Sequence, residues 1–433
     1  MKRIPPSERT REAIRTLLNE GTTEAGSAKS DLMRMATRLI LEEALEAKVS
    51  DLLGREYYKR DGGEGAGHRN GHRERSLKTA EGDVRYAVPQ VRDTDTSAIT
   101  AFRQHLQGRS GELERLAVEM YARGCSTRDI EAMFRCEDGK SLLSRSAVSE
   151  ITEALWTEYE EFATRDLSEV KPLYLFLDGV AERLRPGAKR EAVLSAWCIT
   201  WDGKKVLIHI APGTKESTEC CRDFLEELKR RGLADPLVTI TDGAPGLIRA
   251  VDECFPASLR QRCLAHRMRN LESKLPEEIR AEFKLAAKAA YQAPSVAMAR
   301  ALREDLVERF ANRYPTAVRC FEDDFDACIA HLHAPPAHHR TIRTSNLLER
   351  LFGEERRRMK VVPTMFGERP VLKLMYASLI RATENWRGIG ISEFENRQLK
   401  NVRDELIKRH RDETQPAVKP ASTPNRIYSK DRT

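Results

Sequence analysis

Two apolar runs that stop abruptly on an aspartate and a glycine constrain this chain more than any other feature. The first is Leu173-Tyr174-Leu175-Phe176-Leu177-Asp178-Gly179 and the second is Pro236-Leu237-Val238-Thr239-Ile240-Thr241-Asp242-Gly243. Short, largely apolar runs of this kind suit strands buried on both faces. Between them lie two more strand-like runs, Ala192 to Thr200 and Lys205 to Ile210, joined by the hairpin turn Trp201-Asp202-Gly203-Lys204. A helical period over 217–231 follows, carried by Cys221, Phe224, Leu225 and Leu228. After the second run come a helix from Gly246 to Phe255 and a strand-like segment from Ser258 to Cys263. The order is three strands, a helix, a strand, a helix and a strand.

The first three strands can pair as an antiparallel meander, and the later two can add through helical crossovers. That order matches a ribonuclease-H-like sheet, with Asp178 on the central strand and Asp242 at the end of a neighbour. A lone Asp-Gly after a strand is an ordinary turn. Two of them in this strand order, with a third carboxylate downstream, are a stronger signal. The third is Glu349, on an apolar helical pattern formed by Leu347, Leu348, Leu351 and Phe352. From Arg340 to Lys360 there are seven basic residues against three acidic ones. Such a field suits a phosphate backbone, and a carboxylate inside it needs a reason. One reason is local, since Asn346 to Glu349 also fits a capping box. The other is catalytic. The spacings are 242 − 178 = 64 and 349 − 242 = 107 residues. The second gap exceeds what one helix needs, so a helical insertion is expected to interrupt the sheet domain.

Three gathered carboxylates repel one another and take up protons unless cations neutralise them. Magnesium does so with oxygen ligands, and two such ions can activate an attacking water or hydroxyl and stabilise the leaving oxygen of an in-line displacement. Asp178, Asp242 and Glu349 are the expected ligands for two Mg2+ ions, with Mn2+ as a substitute.

The rest of the chain falls into regions around that sheet. Residues 1–30 read as a flexible arm with room for one helix. Residues 31–110 read as a helical and β-hairpin region, with an apolar stripe through Met35, Leu39, Leu45, Val49 and Leu53 and a hairpin around Glu81-Gly82. The stretch from Gly62 to Arg73 is glycine-rich but lacks G-K-[ST] and a preceding strand, so a mobile basic loop is expected there instead of a nucleotide cradle. Residues 111–168 read as a helix-turn-helix-like DNA-binding domain. Ser126 to Asp129 forms a capping box there, and a second helix opens near Arg145 and Ser146. The separation of the two helices exceeds the usual 3–4-residue turn, and an ordinary helical pair fits as well. Residues 169–270 and 340–395 make up the catalytic domain, with more helix expected over 366–395. Residues 271–339 are the helical insertion, and its histidines at 333, 338 and 339 are expected in a solvated loop broken by proline. Residues 396–433 read as a C-terminal helix and a disordered tail.

At 433 residues, 40% hydrophobic and 33% charged, the chain fits a soluble multidomain protein. A net charge of +7 leans towards a polyanionic partner. Nine scattered cysteines without C-x-x-C spacing argue against a disulfide framework and for reduced thiols in a cytoplasm. No apolar run reaches the roughly 18 residues of a membrane helix, and no secretory signal is apparent.

The chain resembles the mutator-type transposases of bacterial insertion sequences over roughly residues 35–395. The segments that carry the resemblance are Leu177-Asp178-Gly179, Thr241 to Gly246, Arg262-Cys263-Leu264-Ala265-His266-Arg267-Met268-Arg269-Asn270, and Thr344 to Arg350 with Arg356 to Val362. Arg69 to Arg73 and Gly124 to Ile130 look like the family's N-terminal DNA-binding part. The resemblance implies a catalytic triad of Asp178, Asp242 and Glu349, with Cys263, His266, Arg269, Asn346 and Trp386 in supporting positions. It implies DNA contacts from Arg128, Arg145, Ser146, Arg350, Arg356, Arg357, Arg358 and Lys360. The partners it implies are the element's terminal inverted repeats and target DNA, bound by a homodimer or higher homo-oligomer in the bacterial nucleoid. Cys263 and His266 supply two zinc ligands at most, so a structural role or a place near the scissile phosphate fits them better. A structure-selective nuclease of the same fold and a non-catalytic DNA-binding regulator remain open alternatives.

Overall fold

The five strands of the larger sheet pair as their order in the chain predicts. They are β4 (Pro172–Glu182), β5 (Glu191–Thr200), β6 (Lys205–Gly213), β7 (Val238–Thr241) and β8 (Leu259–Arg262), in the spatial order β6-β5-β4-β7-β8. Strands β4, β5 and β6 are antiparallel, while β7 runs parallel to β4 and β8 parallel to β7. The parallel additions need crossovers, supplied by α6 (Thr218–Arg230) and α7 (Pro245–Cys254). Both helices cover one face. There Leu175, Leu177, Leu194, Ala196 and Cys198 pack with Cys221, Phe224, Leu225, Leu228, Leu247 and Val251 in one core. Strand residues alternate between faces, so Tyr174, Phe176 and Asp178 point to the other side.

This computed structural model describes residues 4–20, 27–57, 67–97, 100–101, 104, 106, 108–136, 139–182, 191–213, 218–345, 353, 368–384 and 386–414. They fall into two units, one within residues 1–158 and one within 159–356 and 365–433.

In the first unit, α1 (Pro6–Glu20) and α2 (Ser27–Leu53) accompany the hairpin of β1 (His68–Thr79) and β2 (Gly82–Arg92), with β3 (Gly108–Arg109) beside β1. Leu41 and Leu45 of α2 pack on Val84, Tyr86 and Val88 of β2. The N-terminal stretch read as an arm contributes α1, which polar contacts tie to α2. The Thr10 hydroxyl donates to Glu42 at 2.6 Å and the Ser7 hydroxyl donates to Glu46 at 2.8 Å. Glu42 is fully buried and also accepts from Arg38 Nε and from the Ala87 amide, each at 3.0 Å. The basic loop expected from Gly62 to Arg73 is corrected in its second half. His68 to Arg73 belong to β1, because pairing with Pro89, Val91 and their neighbours supplies the backbone partners. Residues 62–66 lie outside the described residues.

The unit continues with α3 (Gly111–Ala122), α4 (Thr127–Met133) and the start of α5 (Arg145–Thr164). The capping box on α4 is present: the Ser126 hydroxyl accepts from the Asp129 amide at 3.1 Å and the Asp129 carboxylate accepts from the Ser126 amide at 3.0 Å. Residues 134–144 separate α4 from α5, with a bridge between Arg135 and Ser141. This connection is longer than a helix-turn-helix turn.

Beyond β8 the second unit turns helical: α8 (Leu264–Glu272), α9 (Glu277–Tyr291), α10 (Val296–Phe310), α11 (Pro315–Glu322), α12 (Phe325–Ile329), a 3-10 turn (Ala330–His333) and α13 (Pro336–Ile342). Phe283, Tyr291, Phe310, Phe321 and Phe325 form their shared core. The histidine-rich stretch is not a solvated loop. Prolines at the first positions of α13 start that helix instead of breaking the chain, since their missing N–H groups would be unpaired there anyway. His338 is buried with its Nδ1 2.7 Å from the Tyr174 hydroxyl, and His331 is buried against Gln261.

After residue 367 come α14 (Glu368–Thr383) and α15 (Glu393–Thr414). The helix expected across 366–395 is therefore interrupted. Between α14 and α15 the Ile389 amide donates to the Gly203 carbonyl at 2.9 Å, so this connection pairs with the β5–β6 turn instead of continuing as helix. Glycine at 388 permits the approach, because a Cβ there would come within 2.5 Å of that carbonyl oxygen. Residues 415–433, read as a disordered tail, lie outside the described residues.

Candidate active site

Asp178 lies within β4, and Asp242 directly follows the end of β7, the strand that runs parallel beside β4. The ladder pairs Phe176 with Ile240, so each aspartate comes two residues after a paired position. Asp178 is 6% exposed and Asp242 is half-buried. The Asp178 carboxylate accepts from the Gly179 amide at 2.9 Å, and the Asp242 carboxylate accepts from the Ala244 amide at 2.9 Å. The second contact is an Asx turn that delivers the chain into α7.

Beneath Asp178, on the same face, Phe176 stacks on Trp197 with ring centroids 3.9 Å apart, and Trp197 meets Trp386 at 5.4 Å. The aromatic layer gives the aspartate-bearing strand a rigid floor. Trp386 sits in the α14–α15 connection, and its support of the site comes through Trp197.

Gly243 follows Asp242 with φ +94°, a conformation that favours glycine. A Cβ there would lie 2.8 Å from Cζ of Arg262. That guanidinium is nearly buried and is held by Asp323 at 3.3 Å and Asp324 at 3.6 Å. Arg260 grips Asp324 through two hydrogen bonds, and Arg267 reaches Asp323 at 3.2 Å. Three arginines and two aspartates thus lock the end of β8 and the start of α8 to the insertion.

Cys263 links this edge to the segment that follows α13. Its amide donates to the Thr241 carbonyl at 2.7 Å, one residue before Asp242. Its buried sulfur accepts from the Ser345 amide at 3.3 Å and from the Ser345 hydroxyl at 3.4 Å. Burial pushes the thiol pKa up, but hydrogen bonds from His266 and Ser345 outweigh it and leave the value below that of an ordinary thiol.

Of the residues singled out in the sequence, Asp178, Asp242, Cys263 and His266 gather at this end of the sheet. Arg269 lies exposed on the last turn of α8. Arg128, Arg145 and Ser146 belong to the first unit. Arg128 and Ser146 are exposed there, while Arg145 pairs with Glu131 at 3.3 Å. Asn346, Glu349, Arg350, Arg356, Arg357, Arg358 and Lys360 lie outside the described residues. Among the described residues no group of three or more His, Cys, Asp and Glu side chains is assembled for a metal ion. Gly243 carried a signal for its own turn, and Arg262 and Ser345 fall in the segments that carry the family resemblance, but their contacts with distant partners were not legible in the sequence.

The sequence matches the family described as "Transposase, Mutator family" over residues 9–388. The chain belongs to that family. Among its relatives is the transposase for insertion sequence element ISRM5 of Rhizobium meliloti (strain 1021), 31% identical over 85% of this chain and 93% of the relative. The transposase for insertion sequence element IS256 in transposon Tn4001 of Staphylococcus aureus is 29% identical over 83% of this chain and 92% of the relative. The transposase for IS6120 of Mycolicibacterium smegmatis is 31% identical over 62% and 84% respectively. In this Mutator-family transposase no described helix is long and apolar enough to cross a membrane.

Proposed function

We propose that this transposase cuts DNA at the ends of its insertion sequence and joins them to target DNA, using Asp178, Asp242 and Glu349 on a ribonuclease-H-like domain. The observation that carries the reading is that Asp178 and Asp242 each follow by two residues the paired positions Phe176 and Ile240 of the adjacent parallel strands β4 and β7. The strand order β6-β5-β4-β7-β8, with its meander and two crossovers, supports it. Carboxylate oxygens contributed from two adjacent chain segments fit hard cations of the Mg2+ class. Two such ions, once bound, would neutralise the carboxylates and acidify the attacking water or hydroxyl.

In the first step water attacks the phosphodiester at the element's end. A P–O bond forms to the water oxygen, the P–O3′ bond breaks, and the released 3′ oxygen takes a proton. In the second step that 3′-hydroxyl attacks a phosphodiester of target DNA, and the target's own 3′ oxygen leaves. Asp178 and Asp242 hold their oxygens fixed, because short backbone hydrogen bonds and the aromatic floor leave little freedom. Arg350, Arg356, Arg357, Arg358 and Lys360 hold backbone phosphates, with Arg128, Arg145 and Ser146 as further contacts from the first unit. Binding is then steeply salt-dependent. Pairing two ends requires at least a homodimer.

The test is cleavage of a supercoiled plasmid carrying the gene's own flanks, with Mg2+, with EDTA, and with Asp178→Ala, Asp242→Ala and Glu349→Ala variants. Boundary nicking that is lost in EDTA and in all three variants, while flank binding survives, supports the reading. Equal cutting by the variants would refute it.

A further inference from the structure

We infer that Arg262 is a positioning residue for Asp242: held by aspartates of the helical insertion, its guanidinium backs the turn that carries this carboxylate. The inference rests on the reading of Asp178 and Asp242 as metal ligands. Contacts to one short stretch bracket Asp242. The residue before it, Thr241, pairs with Arg262 at the last position of the β7–β8 ladder, and its carbonyl accepts from the Cys263 amide at 2.7 Å. The residue after it, Gly243, lies so close to the Arg262 side chain that a Cβ there would come within 2.8 Å of Cζ and 3.0 Å of Nη2. Arg262 is only 8% exposed, and its Nη1 reaches Asp323 at 3.3 Å and Asp324 at 3.6 Å. The buried Nε, on the side towards Gly243, has no hydrogen-bond partner among the described residues.

A buried guanidinium with an unpaired N–H is costly, and a buried ion pair often adds less stability than apolar residues of similar size. What such a pair supplies is direction. Arg260 grips Asp324 through two hydrogen bonds and so fixes the acceptor. Asp324 itself has the left-handed φ of +59°, which a non-glycine residue keeps only where its surroundings hold it. Arg262 is thereby kept in one place from the insertion side, and the turn packs on its other side. The bond from the Asp242 carboxylate to the Ala244 amide stays within the turn and does not anchor it to the rest of the fold. Glycine at 243 has no side chain to fill the space, so losing the guanidinium frees the backbone beside Asp242 to shift. A shift of an ångström is large against magnesium–oxygen distances of about 2.0–2.1 Å.

The experiment compares Arg262→Gln, Asp324→Asn and the double variant Arg262→Gln/Asp324→Asn, with Asp242→Ala alongside. Asparagine tolerates the left-handed backbone at 324, so Asp324→Asn removes only the charge. Arg303→Gln, which breaks the ion pair to Glu322 at 2.7 Å inside the insertion, controls for general loss of stability. Mn2+ binding is read from the electron paramagnetic resonance of the free ion, and single-turnover cleavage of flank DNA is measured against Mg2+ concentration. DNA affinity without metal and the thermal midpoint are recorded for each variant. Arg262→Gln is expected to bind Mn2+ several-fold more weakly and to cleave about 100-fold more slowly, the scale of an ångström-sized misplacement, with DNA affinity unchanged. Asp324→Asn should act in the same direction and add little to Arg262→Gln, since the two act as a unit. Arg303→Gln should keep the wild-type Mn2+ affinity. Wild-type Mn2+ affinity and cleavage in Arg262→Gln, with both lost in Asp242→Ala, would overturn the positioning role and leave the metal-ligand reading standing. An Arg303→Gln protein that loses Mn2+ affinity as much as Arg262→Gln would also overturn it. An Asp242→Ala protein that binds Mn2+ and cleaves like wild type would overturn the ligand reading and the positioning role together. Should Arg262→Gln fail to fold, Asp324→Asn decides: weakened Mn2+ binding supports the role, and wild-type affinity overturns it.

Discussion

Replacing Gly243 with alanine perturbs the turn after Asp242 through one methyl group, and its cost has two separable parts. The backbone part comes from φ +94°, where a residue with a Cβ is strained by about 1–3 kcal/mol. The steric part comes from Arg262, whose Cζ would lie 2.8 Å from the new methyl. Arg262 cannot swing aside freely, because Asp323 and Asp324 hold it from the insertion. Forcing a methyl into so tight a place adds about 1–3 kcal/mol. The sum is roughly 2–6 kcal/mol, which for a unit as large as the second lowers the midpoint of thermal unfolding by about 4–12 °C. Cleavage should fall by about 100-fold, because the strain is next to Asp242. Differential scanning calorimetry and single-turnover cleavage are the assays, with Arg262→Ala and the double variant completing a cycle. In the Arg262→Ala background the methyl should cost only its backbone part. A Gly243→Ala protein with an unchanged midpoint, no coupling to Arg262 and full cleavage would refute the reasoning.

The pH dependence of stability follows from two buried histidines. Burial, with Arg231 and Arg165 nearby, pushes His209 down to about 3, and burial, with His339 and Arg343 nearby, does the same for His331. Each stays neutral in the fold while the unfolded chain takes up its proton near 6.5, so stability is full above that pH and falls as pH drops towards 3. The slope is up to about 1.4 kcal/mol per pH unit for each histidine, and His209→Gln should remove one proton's share in urea unfolding between pH 6 and 4.5. Trp386→Ala should cost about 2 kcal/mol, half of a full core aromatic truncation because the ring is only half-buried, and intrinsic fluorescence should report a lower urea midpoint. Glu42→Ala strands the Ala87 amide, leaves the Thr10 hydroxyl with only the Pro6 carbonyl, and should cost about 1–3 kcal/mol in the first unit. Limited proteolysis should then cut within residues 4–57 before it cuts the sheet.

The sheet was legible in the sequence because each strand announces itself locally. Leu173 to Leu177 is an unbroken apolar run and Leu237 to Thr241 is interrupted only by threonines; Asp-Gly marks the end of β7, whereas β4 continues through Asp178-Gly179 to Glu182. The pairing of β7 beside β4 followed from strand order, and their ladder runs in parallel up to Phe176 and Ile240. What stayed hidden depends on distant partners. His338 looked like part of a loop because prolines precede it, yet it is buried against the Tyr174 hydroxyl, 164 positions away. The break before Trp386 was hidden because its cause is the carbonyl of Gly203 on a hairpin turn. Cys263 and His266 were visible as a pair and Ser345 within its own segment, but that the sulfur pairs with Ser345, 82 positions distant, was not. Glu42 and Arg262 hold their places through the same kind of long-range contact, which periodicity does not encode.

The central claim is that Asp178, Asp242 and Glu349 meet around the same metal ions. Iron-directed cleavage tests it most directly. The protein is loaded with Fe2+ in place of Mg2+ and treated with ascorbate and peroxide, so that radicals born at the bound ion cut the nearby backbone. The account predicts cuts around residues 178, 242 and 349 together, all suppressed by excess Mg2+ and all lost in Asp178→Ala. Cuts near 178 and 242 with none near 349, or a pattern that Asp178→Ala leaves intact, would contradict it.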